Sequence, residues 1–268
     1  IKPPTLYGDA YLPYQIFGVI IVLNANSIGM ISASILYISI VRFSNETRKK
    51  IFSSNIFWII SSAIFLVFAQ SRTSIVAFLL VIILFLVVSK NFGIFKKIVV
   101  VSLGGFLIYF FLDSVIRYLH RGLSSAQLMN LSGRKFHWES AFETFLSADR
   151  INQFFGLGFG TGNRMILMKF DQGVSSTLHS DYLDSLISTG IFGLVFLLIM
   201  LSLILFKVSK KILRYRYNSL FVECMGLLIL LIVRSFTGTT FATHNIFLVL
   251  FMLIKLNIYF IINKRIII

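Results

Sequence analysis

The chain is poor in charge. Charged residues make up only 13 % of 268, ten of them acidic, while 57 % are hydrophobic and the mean hydropathy is +0.89. That balance lies outside the range of ordinary soluble domains, so the chain needs lipid. Its one cysteine, Cys224, falls inside an apolar run, which excludes a disulfide framework within a single chain. His120, His137 and His244 are scattered without metal-ligand spacing, and no two carboxylates form a recognisable acid pair or metal site. A GxSxG elbow, a P-loop and internal repeats are also missing. Chemistry in this chain therefore falls to arginines, a histidine and backbone donors, which suits a substrate that already carries a good anionic leaving group.

The first residue is not Met, and Lys2, Pro3 and Pro4 stand where a signal peptide has a basic region and a short apolar core. The expectation is a fragment whose parent carries an odd number of further spans upstream, given a cytoplasmic start.

What is present is a series of apolar runs long enough to cross about 30 Å of hydrocarbon. Seven are expected, near 25–41, 51–70, 73–89, 98–112, 181–206, 219–238 and 242–262. The fold class implied is an all-α integral membrane protein, read as one domain over 1–268 with one long loop at 113–178. The net charge of +15 is concentrated in collars between the runs. Segments 42–50, 90–97, 207–216 and the tail from 255 hold fifteen of the 25 basic residues against one acid, Glu46. Alternating spans put all four collars on one face, as the positive-inside rule requires. The C-terminus is then cytoplasmic and the long loop faces outward. The basic excess reports topology, and no nucleic-acid partner is expected.

The loop itself is nearly balanced in charge. Trp138, Phe142, Phe145 and Leu146 recur at helical spacing, which predicts a short amphipathic helix on the membrane surface or against the bundle.

Ionisable groups at membrane depth are costly, about 2.5 to 3.5 kcal/mol for Arg at a helix centre. Arg72 at the turn between the second and third runs, and Arg234 about two-thirds of the way along the sixth, each require a reason. His179 opens the fifth run behind Ser175, Ser176 and Thr177, which offer an N-cap. A helix N-terminus disfavours added positive charge and keeps an imidazole there in the neutral form that can act as a base. A capping or interfacial histidine is the alternative. Gly156, Gly158, Gly160 and Gly162 do not follow GxGxxG spacing, so dinucleotide binding is not expected; they form either a turn or a run whose amides approach an anion. Asp181 and Asp184 are read as solvating the interface, and neither is at helical spacing from His179.

Four pieces of sequence resemble the O-antigen ligase and polymerase superfamily of bacterial envelope glycosyltransferases. HSDYLDSLISTGIFG, residues 179–193, looks like that family's His-led motif at the outer end of a late span. SGRKFHW at 132–138, followed by GLGFG from 156, is similar to its Gly-Arg, Trp and Gly-x-Gly sequence in a large periplasmic loop. QSRTS at 70–74 is similar to its Ser-Arg turn, and the Asn24–Ser27 stretch opening the first span is a weaker fourth piece.

The resemblance implies a lipid-using glycosyltransferase architecture of the GT-C type in the bacterial cytoplasmic membrane. It also implies metal-independent transfer of a glycan from undecaprenyl diphosphate to an acceptor hydroxyl at the periplasmic face, with no cofactor. The acceptor is another lipid-linked glycan in a polymerase, or a lipid A core in a ligase. His179 is then the general base, and Arg72, Arg134 and Arg234 are assigned to the diphosphate, because guanidinium forks hold phosphate oxygens in pairs. The rival reading is a transporter or flippase for lipid-linked oligosaccharide, in which the same arginines guide a diphosphate without bond breaking.

Overall fold

A computed structural model describes residues 24–46, 54–89, 93–110, 134–159, 178–214, 219–241 and 246–263. Among these residues the chain is all helical, without strands: α1 (Ala25–Asn45), α2 (Ser54–Ala69), α3 (Arg72–Val88), α4 (Ile94–Phe110), α5 (Arg134–Ser147), α6 (Arg150–Phe155), α7 (Asp181–Arg214), α8 (Ser219–Thr237) and α9 (Ile246–Asn263). A helix therefore lies in each expected run, although α4 begins at residue 94 rather than 98. α1, α7 and α8 are long and apolar enough to cross a membrane. α2, α3 and residues 246–256 of α9 are apolar but shorter. At 1.5 Å per residue, α2 and α3 reach only about 24 to 26 Å, near the lower limit for a span.

The chain divides into two compact units, residues 1–124 with 211–230, and residues 125–210 with 231–268. In the first, α1 packs on α2 and α3. The Asn24 side chain caps α1 by accepting from the Ser27 N–H at 2.8 Å, which fixes the helix start at Ala25. Ser27, Met30, Ser34, Tyr37 and Val41 then recur every three or four residues along its buried face. Small residues let these backbones approach. A Cβ on Gly29 would lie 2.7 Å from the Ser71 Cβ and 3.0 Å from the Ser74 Oγ. Lower on the same helix, the Tyr37 hydroxyl donates to the Val222 carbonyl at 2.7 Å, and a Cβ on Gly226 would overlap the Tyr37 ring. Arg42 pairs with Glu223 through two nitrogens, the Nη2–Oε2 distance being 3.1 Å. Glycine at 226 and the ion pair at 223 thus seat residues 219–230 of α8 against α1.

In the second unit a small core forms around Ala141, Leu178 and Ile187, with Phe145, Leu157 and Leu183 packed on it. The amphipathic helix expected in the loop is α5, and the core covers only one edge of the arc that its four marker residues form. Phe145 packs on the core and Trp138 is half-buried, whereas Phe142 and Leu146 are exposed. At 100° per residue, 138 and 145 lie within about 20° of each other, and 142 and 146 extend the same arc to about 100°, at the edge the core leaves uncovered.

α7 is broken at Gly190, whose φ of 68° and ψ of −165° leave the helical region. Before the break Asp181, Asp184, Ile187 and Ser188 are buried; after it Phe192, Phe196 and Ile199 are exposed. The expected fifth run therefore contains two different objects, a short buried helix inside the second unit and a long apolar one.

Candidate functional site

His179 lies two residues ahead of α7 in the left-handed region, at φ 55°. A non-glycine residue there costs roughly 1 to 2 kcal/mol, so something must hold it. The neighbouring peptide is fixed on both sides. The Trp138 Nε1 donates to the Leu178 carbonyl at 2.9 Å, and the Leu178 N–H donates to the Asp184 Oδ1 at 3.1 Å. Leu178 and Ser180 are buried while His179 between them is exposed. With both flanking residues anchored inward, the chain turns His179 outward. The cap expected from Ser175, Ser176 and Thr177 lies outside the described residues.

Asp181 and Asp184 do not solvate the interface; each is only 1 % exposed. A helix start with both carboxylates on its buried face needs internal donors. Asp184 finds one in the Leu178 amide, and Asp181 accepts from the Thr240 N–H at 2.7 Å and the Phe241 N–H at 3.0 Å through one oxygen. Asp181 so fastens the turn after α8 to the start of α7. A hydrogen bond between the Ser235 and Tyr182 hydroxyls at 2.9 Å runs between the same helices.

Arg134 opens α5 one turn before Trp138, about 6 Å along the axis. Its Nη1 donates to the carbonyl of Thr237, the last residue of α8, at 2.7 Å, a favourable place for a cation because helix C-termini carry partial negative charge. Burial pulls the Arg134 pKa below the ordinary guanidinium value, so an anion brought beside it gains a partly desolvated partner.

Arg234 stands in the last turn of α8 and is 8 % exposed. Its guanidinium carbon lies 3.8 Å from the centre of the Phe247 ring, and the groups that Arg134 and Asp181 bind, the Thr237 carbonyl and the Thr240 and Phe241 amides, follow it closely in the chain. The second unit thus brings two of the expected arginines and one carboxylate together at the end of α8. α5 links this cluster to the Leu178 peptide beside His179.

Arg72 belongs to the first unit. It is the first residue of α3, half-buried, behind Ser71, whose hydroxyl accepts from the Ser74 N–H at 3.4 Å. Gln70 makes the turn at φ 51° and is 1 % exposed. The Ser74 hydroxyl reaches the Asn26 carbonyl at 3.5 Å, so QSRTS and the Asn24–Ser27 stretch, far apart in sequence, are neighbours. A cation at a helix N-terminus opposes the helix dipole; together with the amides of that turn it favours an anion there.

The amides of Gly156 and Gly158, the two described glycines of the run, are taken up by backbone carbonyls. The Gly156 N–H donates to the Asn152 carbonyl, Leu157 donates to the Ile187 carbonyl at 2.8 Å, and Gly158 to the Ser188 carbonyl at 3.2 Å. The last two amides cap the short helix that ends at Gly190. Gly156, at φ 84°, and Gly190 interlock: a Cβ on the first would overlap the Ser188 backbone, and one on the second the Phe154 carbonyl. Gly160 and Gly162 lie outside the described residues.

Sequence reasoning missed Trp138 and the two aspartates as holders of the site. The aspartates alone carried a signal, since residues 181, 184 and 188 recur on one helical face beside the buried, apolar Ile187. Among the described residues no group of three His, Cys, Asp or Glu could hold a metal ion.

A family model described as O-antigen ligase matches residues 56–198. The matched stretch runs from α2 into α7 and includes Arg72, Arg134 and His179, leaving Arg234 beyond its end. None of the curated proteins compared with the chain matches it.

Proposed function

The chain belongs to the O-antigen ligase family, and from that premise we propose that it is a multi-pass glycosyltransferase of surface polysaccharide synthesis. Its substrate is an undecaprenyl-diphosphate-linked glycan, which it transfers to an acceptor hydroxyl at the periplasmic face of the cytoplasmic membrane. The architecture is of the GT-C type with seven spans, the loop periplasmic and the C-terminus cytoplasmic. The observation that carries this reading is the outward, left-handed His179 behind a Leu178 peptide bonded to Trp138 and Asp184.

In the proposed step the imidazole of His179 takes the acceptor hydroxyl proton as that oxygen attacks the anomeric carbon. A new carbon–oxygen bond forms, the bond to the diphosphate breaks, and undecaprenyl diphosphate leaves with the electron pair. One direct displacement inverts the anomeric carbon. The arginines answer the charge that develops on the leaving group, since guanidinium stays charged and offers paired donors. Arg134 and Arg234 supply this field, and Arg72 at the α3 N-terminus is assigned the same role. No metal or cofactor is required by these steps.

Reconstitution of the full-length protein in liposomes with an undecaprenyl-diphosphate glycan tests the reading, with longer or transferred glycans as the readout. Arg72→Lys keeps the charge and removes the fork. Weaker donor binding with slower transfer is expected; unchanged affinity and turnover remove Arg72 from the diphosphate site. Movement of intact donor across the bilayer without glycan transfer favours the flippase instead.

A further inference from the structure

α6 is amphipathic over a single turn and a half. Asp149 caps it by accepting from the Asn152 N–H, and Gln153 turns inward to donate to the Phe145 and Leu146 carbonyls at 3.2 Å each. On the other side Ile151, Phe154 and Phe155 are 70 %, 47 % and 67 % exposed, and Phe159 just beyond is 74 % exposed. Large apolar side chains crowded onto so short and hydrogen-bonded a segment form a patch that water does not favour.

The patch is continuous with the apolar surface of α7. The Phe155 ring stacks on Phe192 with centroids 5.5 Å apart and planes at 18°, and Phe154 leans on the same ring at 6.0 Å. Phe192 closely follows the Gly190 break, and Val195, Phe196 and Ile199 extend its exposed face along the part of α7 that is apolar and long enough to cross a membrane. A side chain that shares a ring contact with the first turn of a lipid-facing helix shares its depth.

We propose that residues 151–159 form a wedge inserted into the bilayer at the outer rim of α7, with Ile151, Phe155 and Phe159 among the lipid acyl chains at the headgroup boundary. The polar residues of α6 support this placement, since Asn152 and Gln153 are half-buried and the exposed Asp149 and Arg150 stand at the opposite end of the helix from Phe154 and Phe155. The wedge has a consequence for the segment behind it. Leu157 and Gly158, whose amides cap the helix carrying Asp181 and Asp184, lie within the wedge. The depth of that helix is thereby referred to the bilayer surface rather than to the loop alone.

Spin labels placed one at a time at Ile151→Cys, Phe155→Cys and Asp149→Cys test this in the full chain with Cys224→Ser, reconstituted in phosphatidylethanolamine and phosphatidylglycerol liposomes. Labels at 151 and 155 should collide more with dissolved oxygen than with a water-soluble nickel chelate, and the label at 149 should show the reverse. Nickel accessibility at 155 equal to that at 149 overturns the proposal. Dipolar broadening between labels at 155 on two chains also overturns it, by showing a second copy as the occupant. Phe155→Trp with the native cysteine retained gives an independent measurement. Its added fluorescence should be quenched by lipids brominated near the headgroup more than by lipids brominated at the chain ends, and absence of quenching by both contradicts the wedge.

Discussion

The indole nitrogen of Trp138 donates to the carbonyl of Leu178 across a separation of forty residues, at 2.9 Å. That bond fixes the peptide immediately before His179, while Asp184 fixes the amide of Leu178 itself. A net intramolecular hydrogen bond is worth about 1 kcal/mol, and a factor of ten in rate corresponds to about 1.4 kcal/mol. Trp138→Phe keeps an aromatic ring and removes the donor, so transfer is expected to fall roughly five-fold with the fold intact. Asp184→Ala strands the Leu178 amide and should cost about 1 to 3 kcal/mol of stability, read as a lower melting temperature in detergent. Asp184→Asn retains an acceptor and should lose less. Equal stability of Ala and Asn variants would show that the Leu178 bond contributes nothing.

His179 sits at φ 55°, where glycine is at ease and alanine is not. His179→Gly should be more stable than His179→Ala by about 1 kcal/mol, and neither should transfer glycan. Thermal unfolding of the two purified variants measures the order. A more stable alanine variant would mean that α7 simply extends through position 179.

Gly156 and Gly190 occupy each other's space and both have positive φ. Alanine at either position meets backbone rather than a movable side chain, so each substitution should destabilise by about 1 to 3 kcal/mol. The double variant should be less damaging than the sum of the two, because one shift of the segment accommodates both methyl groups. Strict additivity in unfolding measurements would contradict the interlock.

The Arg234 guanidinium over Phe247 is a largely desolvated cation–π pair, worth about 2 kcal/mol when water is excluded. A double-mutant cycle with Arg234→Met and Phe247→Leu should give a coupling of at least about 1 kcal/mol. Coupling near zero would show that the Phe247 ring contributes nothing to holding Arg234.

Helices and their order were legible from hydropathy because lipid rewards uninterrupted apolar runs, and the start of α1 was legible because Asn24 is both the interruption and the cap. His179 stood out for its place before an apolar run. Its left-handed geometry did not, because that depends on Trp138, which reaches it only through tertiary packing. Asp181 and Asp184 were misread for a related reason: in sequence a carboxylate beside a span looks solvated, and only the amides of Leu178, Thr240 and Phe241 reveal it as buried. The break at Gly190 was hidden inside one apolar run, since hydropathy does not register φ. The glycines at 156 and 158 were noticed, but their carbonyl partners could not be read from spacing.

Whether His179 is the base is decided by single-turnover transfer and donor binding, measured on the same liposome samples of wild type and His179→Asn, a residue that tolerates the left-handed conformation. Donor affinity is expected within about two-fold of wild type, and the transfer rate reduced by about a hundred-fold or more, the contribution of a positioned general base. Transfer at the wild-type rate with His179 replaced would contradict that role.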